Sequence, residues 1–304
     1  MDLSNLLTEQ RNEKSMNLDQ LNTYDILKTI HREDQKVEKA VEEVLPEINE
    51  VVENVYKRLA SGGRLFYVGA GTSGRLGFLD SSECPPTFMT SPETVQTLMA
   101  GGIDAFFEAV EGSEDHEEQG EKDIARKNIT DLDVVLGITA SGRTPYPIGS
   151  LKYAQSKGAY TVSLTCNKNS VISHHANAAI EVLVGPEVLT GSTRMKAATA
   201  HKMVLNMIST TTMVKLGKVY ENLMVDVQAS NYKLMNRARR IIMDLTDVSY
   251  DEADRVLAAT DNQVKPALVM LKSGVNYEEA KKAITKSDGY VREAINYAVG
   301  KSDV

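Results

Sequence analysis

The 304-residue sequence holds only two cysteines, Cys84 and Cys166. Two are too few for a disulfide framework or a zinc cage, and they point to a reducing cytoplasm. An excess of positive charge is also lacking. The formal net charge of −8 argues against a nucleic-acid binder, which needs a basic face. It leaves an anionic small substrate open, because local donors outweigh net charge at a phosphate site. No apolar run approaches the length of a membrane span, and the polar start Met1-Asp2-Leu3-Ser4-Asn5 carries no secretory signal. The five histidines, His31, His116, His174, His175 and His201, show no ligand spacing with cysteine. No metal and no other cofactor is expected.

What is there reads as a globular enzyme with a doubly wound α/β core. Apolar residues at 42% suffice for a packed interior, and the length allows one large domain plus a smaller module. The first thirty or so residues read as a loop and a short helix. Val37, Val41, Val44, Ile48, Val51, Val55 and Leu59 then recur at helical steps, with Pro46 marking a kink or a break. Short apolar runs at residues 65–68, 134–138, 160–164 and 179–184 suit buried parallel strands, and helical stretches separate them. That alternation means βαβ units in a doubly wound parallel sheet. Residues 199–219 form a helix apolar over a wide arc, as core or as a subunit interface. Near the end, Ser249-Tyr250-Asp251-Glu252-Ala253 returns as Asn276-Tyr277-Glu278-Glu279-Ala280, and Asp261-Asn262 answers to Asp288-Gly289. Each copy reads as a capped helix, a turn and a second helix. The expected organisation is an N-terminal segment and long helix over residues 1–50, a central domain over 51–225 and a helical module over 226–304.

The chemistry starts where the first strand runs into Gly69-Ala70-Gly71-Thr72-Ser73-Gly74-Arg75. Glycines let the backbone approach an anion, and the amides of a helix N-terminus point at its charge. Thr72 and Ser73 add hydroxyls suited to a phosphate monoester. A dinucleotide site would also carry an acid at the end of the second strand. Only Glu93 lies in that region, and no clear strand precedes it. A second hydroxyl-rich turn, Thr139-Ala140-Ser141-Gly142-Arg143-Thr144, follows another strand. Two such turns at carboxyl ends of parallel strands converge on the crevice where open sheets bind ligands. A third segment, Thr190-Gly191-Ser192-Thr193-Arg194-Met195-Lys196, reads either as donors for sugar hydroxyls or as a helix cap. Of the acids, Glu83 sits in Ser82-Glu83-Cys84-Pro85-Pro86-Thr87, read as a proline-stiffened loop, and Glu114 in Ala109-Val110-Glu111-Gly112-Ser113-Glu114-Asp115, a break between helices. Two carboxylates beside a phosphosugar cradle, with no metal cluster, point to proton transfer.

Taken together, these segments resemble the sugar isomerase (SIS) domain, and more narrowly the N-acetylmuramic acid 6-phosphate etherases. Thr8-Glu9-Gln10-Arg11-Asn12 and the C-terminal repeat share the resemblance, which covers nearly the whole chain. It implies a flavodoxin-like SIS sheet flanked by N-terminal helices and a small C-terminal helical module. It also implies a homodimeric lyase that releases D-lactate from N-acetylmuramic acid 6-phosphate in the recycling of cell-wall sugar. By motif, Glu83 looks like the acid that protonates the departing ether oxygen and Glu114 like the base at C2. Gly71, Thr72, Ser73, Ser141, Gly142, Thr144 and Ser192 would hold the substrate and its phosphate. The alternatives are a sugar-phosphate isomerase on the same domain and a non-catalytic sugar-phosphate sensor.

Overall fold

A computed structural model describes residues 6–108, 110–227 and 232–302. The polar start at residues 1–5 and Ala109 of the Glu114 motif lie outside the described residues. Short 3-10 turns lead into helix α1 (Thr23–Glu42), which starts earlier than the apolar period suggests because Asn22 accepts the Asp25 amide as an N-cap. Pro46 breaks the periodic run rather than kinking it. It stands in the first turn of α2 (Leu45–Ala60), where a missing amide costs nothing.

The core is a parallel sheet in the order β2-β1-β3-β4-β5. Its strands are β1 (Leu65–Gly69), β2 (Val95–Met99), β3 (Val134–Ile138), β4 (Tyr160–Thr165) and β5 (Ala178–Glu181). β2 is the strand that apolar runs do not reveal: it lies at the sheet edge and only its first two residues are buried. Glu93 precedes this strand, and the residues that follow it are Ala100, Gly101 and Gly102, so no acid stands at the ribose position.

Helix α3 (Gly71–Phe88) follows β1, and it overturns the loop expected around Glu83: Pro85 and Pro86 lie inside the helix, whose end closes with Met89 N donating to Pro85 O (2.9 Å). The short α4 (Asp104–Phe107) and α5 (Glu117–Ala125) follow β2, and α6 (Pro145–Ser156) follows β3. One sheet face, with Phe66, Val68 and Val135, packs on Ile124 of α5 and on Tyr146, Leu151 and Ala154 of α6. α5 and α6 cross at glycines: a Cβ on Gly120 would lie 1.9 Å from Tyr146 O, and one on Gly149 2.0 Å from Glu117 O. Helix α7 (Lys196–Lys215) begins a few residues before the apolar run expected at 199–219. Its wide apolar arc is occupied by burial: Val204, Leu205, Ile208 and Met213 are inaccessible to solvent.

Two compact units divide the chain, Met1–Ser82 with Pro92–Ser209, and Glu83–Ser91 with Thr210–Val304. The second holds a small hairpin, β6 (Val219–Tyr220) and β7 (Leu223–Met224), then helices α8 (Tyr232–Thr246), α9 (Tyr250–Ala259), α10 (Val264–Ser273), α11 (Tyr277–Lys286) and α12 (Val291–Ser302). The internal repeat is visible in the caps. Ser249 accepts the Glu252 amide at α9, and Asn276 forms a full capping box with Glu279 at α11. The matched turns are also alike, with positive φ at Asp261 and Asn262 and again at Asp288 and Gly289. Ile242, Leu257, Leu268, Ala280 and Ala294 bury together as this unit's core.

Candidate functional site

β1 and β3 are neighbours in the sheet, with Gly69 opposite Ile138, although β2 intervenes in sequence. The chain turns outward to β2 and returns on the other side, so a crevice opens between the ends of β1 and β3. Both hydroxyl-rich turns sit there. At the first, Gly69 and Gly74 pack so closely that a Cβ on Gly74 would lie 2.9 Å from Gly69 O. Gly71 takes φ +51° and opens α3, whose first amides lack partners within the helix. At the second, Thr139 Oγ1 lies 2.7 Å from Thr144 Oγ1 and 3.2 Å from Ser141 Oγ, while Arg143 N donates to Ser141 Oγ (3.2 Å).

A cavity of about 230 Å³ lies between the turns. Gly71, Thr72, Ser73, Ser141 and Thr144 all line it, as does Glu114. Glu114 arrives on a 3-10 turn (Ser113–Asp115) that Gly112 starts from the left-handed region, φ +75°. Gly142 and Ser192 are not among the lining residues. Gly142 is pressed against Ser170, where a Cβ would come 2.2 Å from the hydroxyl, and Ser192 closes a turn onto Leu189 O (2.9 Å). Glu83 is an exposed residue of α3 counted with the second unit, and it does not line this cavity. Arg75 is turned to other use: its guanidinium donates to the carbonyls of Ala105 (2.9 Å) and Phe106 (3.1 Å).

The polar lining residues not singled out as site residues from sequence are Glu9, Thr139, Thr193 and His201. Glu9 is held from the far N-terminus by a buried amide. Asn167 accepts from Leu7 N (2.7 Å) and donates to Thr8 Oγ1 (3.1 Å) and to Ala140 O of the second turn (2.9 Å). Deeper, Asn12 donates to Glu33 (2.9 Å), and Glu33 also binds Lys196 Nζ (2.7 Å) and Lys36 Nζ (2.5 Å). Burial opposes the charge of Glu33, but these lysine and asparagine partners prevail and hold its carboxyl at about 2. Glu187, wholly buried, accepts the Lys196 and Ala197 amides, so a carboxylate rather than the Thr190–Thr193 hydroxyls caps α7. His201 is buried on α7, with Nε2 3.5 Å from Cys166 Sγ, and desolvation lowers its imidazole to about 4. It is therefore neutral near pH 7.

Among the described residues no Lys or Arg lines this cavity. An anion here is met by amides, hydroxyls and the start of α3. Two carboxylates, Glu9 and Glu114, face the same space. Among the described residues no three His, Cys, Asp or Glu side chains gather as metal ligands would.

The chain is similar to known proteins along most of its length. The N-terminal SIS domain of the glucokinase regulatory protein matches residues 47–155, and the SIS domain matches residues 108–211. An N-acetylmuramic acid 6-phosphate etherase of Bacillus licheniformis is 56% identical over 89% of this chain and 89% of its own. Another from Bacillus subtilis is 56% identical over 90% of each. The phosphoheptose isomerase of Francisella tularensis, 17% identical, superposes over 64% of this chain and 100% of its own with a TM-score of 0.50, a likeness of fold alone.

Proposed function

The chain belongs to the N-acetylmuramic acid 6-phosphate etherases, and we infer from that membership that it cleaves the D-lactyl ether of N-acetylmuramic acid 6-phosphate with water. The products are N-acetylglucosamine 6-phosphate and D-lactate, a step in recycling cell-wall sugar. The carrying observation is the identity of more than half the residues over nearly nine-tenths of both chains. The cavity adds its own support. It joins a cationless phosphate cradle to the Glu114 carboxylate in a space suited to one phosphorylated sugar.

The reaction runs by elimination, then hydration. In the open-chain sugar the aldehyde acidifies the C2 proton; a base removes it, the C3–O ether bond breaks, and lactate leaves with a proton from an acid. Water then returns a hydroxyl to C3 and a proton to C2. We assign the base to Glu114 and the acid to Glu83, the latter on its motif alone. Gly71, Thr72, Ser73, Ser141 and Thr144 are the proposed phosphate ligands, through amides and hydroxyls. Gly142 shapes the turn against Ser170, and Ser192 is a proposed contact to the sugar. The working form is proposed to be a cytoplasmic homodimer; Phe78, Leu79, Ile103 and Phe107 are large apolar side chains left exposed.

Purified protein without added metal or nucleotide should release lactate from the 6-phosphorylated muramic sugar. Intact substrate after incubation with bound protein would refute the activity. Glu83→Ala should lower lactate release by about 10²- to 10⁴-fold, the usual worth of an acid–base group, while C2 hydrogen exchange persists. Exchange lost with release retained would reverse the two roles.

A further inference from the structure

We propose that Glu9 is a specificity-determining residue whose carboxylate accepts a hydrogen bond from an uncharged N–H or O–H donor of the sugar. This rests on the reading of the cavity as the phosphosugar site. Glu9 lines that cavity together with the two hydroxyl-rich turns and Glu114. Its position is set on both sides. Leu7 and Thr8 are bound to Asn167. Asn12 donates to Glu33 and to Pro186 O (3.1 Å), and Ser15 Oγ donates to Val188 O (2.7 Å).

The carboxylate itself is left available. Among the described residues its one hydrogen bond comes from Thr8 Oγ1, at a long 3.4 Å to Oε1. That hydroxyl in turn accepts from Asn167 Nδ2, so a chain of donors ends on one oxygen and leaves the other for a ligand. Oε2 lies over Gly191, at 3.5 Å from where a Cβ would stand; this residue takes φ +77° and leaves that side open. A carboxylate only accepts hydrogen bonds, and it repels the phosphate held by the amides and hydroxyls across the cavity. It must therefore face the neutral donors of the sugar, either its hydroxyls or the acetamido N–H.

The test uses Glu9→Gln and Glu9→Asp in the full chain. It reads kcat and KM, and inhibition by N-acetylglucosamine 6-phosphate, 2-deoxyglucose 6-phosphate and inorganic phosphate. A hydrogen bond to a charged acceptor leads us to expect a KM raised by about 10- to 100-fold in Glu9→Gln. We expect kcat, inhibition by inorganic phosphate and the melting temperature to stay unchanged, and Glu9→Asp to recover part of the loss. Weaker N-acetylglucosamine 6-phosphate with unaltered 2-deoxyglucose 6-phosphate identifies the acetamido N–H; equal weakening identifies a hydroxyl. Unchanged KM and affinities, or a fall in kcat alone, would overturn the proposal. Should the wild type release no lactate while Glu9→Gln still loses sugar affinity, the reaction assignment fails and this one stands.

Discussion

Replacing Lys196 by Met should destabilise the protein by about 3–5 kcal/mol, the cost of leaving one member of a buried ion pair without its partner. Lys196 and Glu33 have side chains 1% and 2% exposed and 2.7 Å apart, whereas the second lysine on Glu33, Lys36, is 46% exposed and screened by water. An independent route gives a similar size. The Glu33 carboxyl is lowered from 4.5 to about 2, which by linkage is roughly 3 kcal/mol of stability. Because the folded value is the depressed one, that stability is complete above pH 4.5 and is lost as pH falls toward 2. Denaturant unfolding of Lys196→Met between pH 7 and pH 3 should therefore show both a lower midpoint and a weaker acid dependence than wild type. The double variant Glu33→Gln with Lys196→Met removes both charges and keeps an acceptor for Asn12, so it should regain most of the loss. A loss under about 1 kcal/mol in the single variant, or no recovery in the double, would refute the argument.

His201 provides a second, separate acid response. Its imidazole is lowered from 6.5 to about 4, so the unfolded chain takes the proton first and stability falls by roughly 3 kcal/mol as pH drops through that window; His201→Gln should flatten the curve there, and an unaltered slope would deny the burial effect. For the homodimer, light scattering at micromolar protein should give twice the 33.4 kDa chain mass, and Phe107→Glu should lower it; a wild-type monomer would reject the dimer.

The fold was legible wherever burial left a local mark. β1, β3 and β4 are buried throughout, β5 is an edge strand marked by its one buried residue, Ile180, and the caps at Ser249 and Asn276 carry their own sequence signature. β2 escaped because Val95-Gln96-Thr97-Leu98-Met99 is a half-buried edge strand without a continuous apolar run. Helix α3 was cut short in the reading by Pro85 and Pro86, which lie in its last turn and forfeit only the bonds their own amides would make to the carbonyls four residues back. In the candidate site, Thr72, Ser73, Ser141 and Thr144 were readable because each follows closely on a strand end, the first two in the opening turn of α3 and the others in the loop after β3. Glu9 was not, since its place depends on Asn167, some 160 residues away. His201 was read only as one of five histidines without ligand spacing to cysteine, and the packing of α7 is what brings it to the cavity wall.

The anchoring of the N-terminal segment also bears on how the site comes into being during synthesis. Residues 7–15 leave the ribosome long before Asn167, Pro186, Val188 and Lys196, the groups that seat them and the Glu33 beneath them. Contacts so distant along the chain close late. Until then the segment is unseated, while β1 can already pair with β2, 30 residues on. The cavity thus takes one wall, Glu9, from a segment made well before Thr193, Ala198 and His201, which line it from around and within α7.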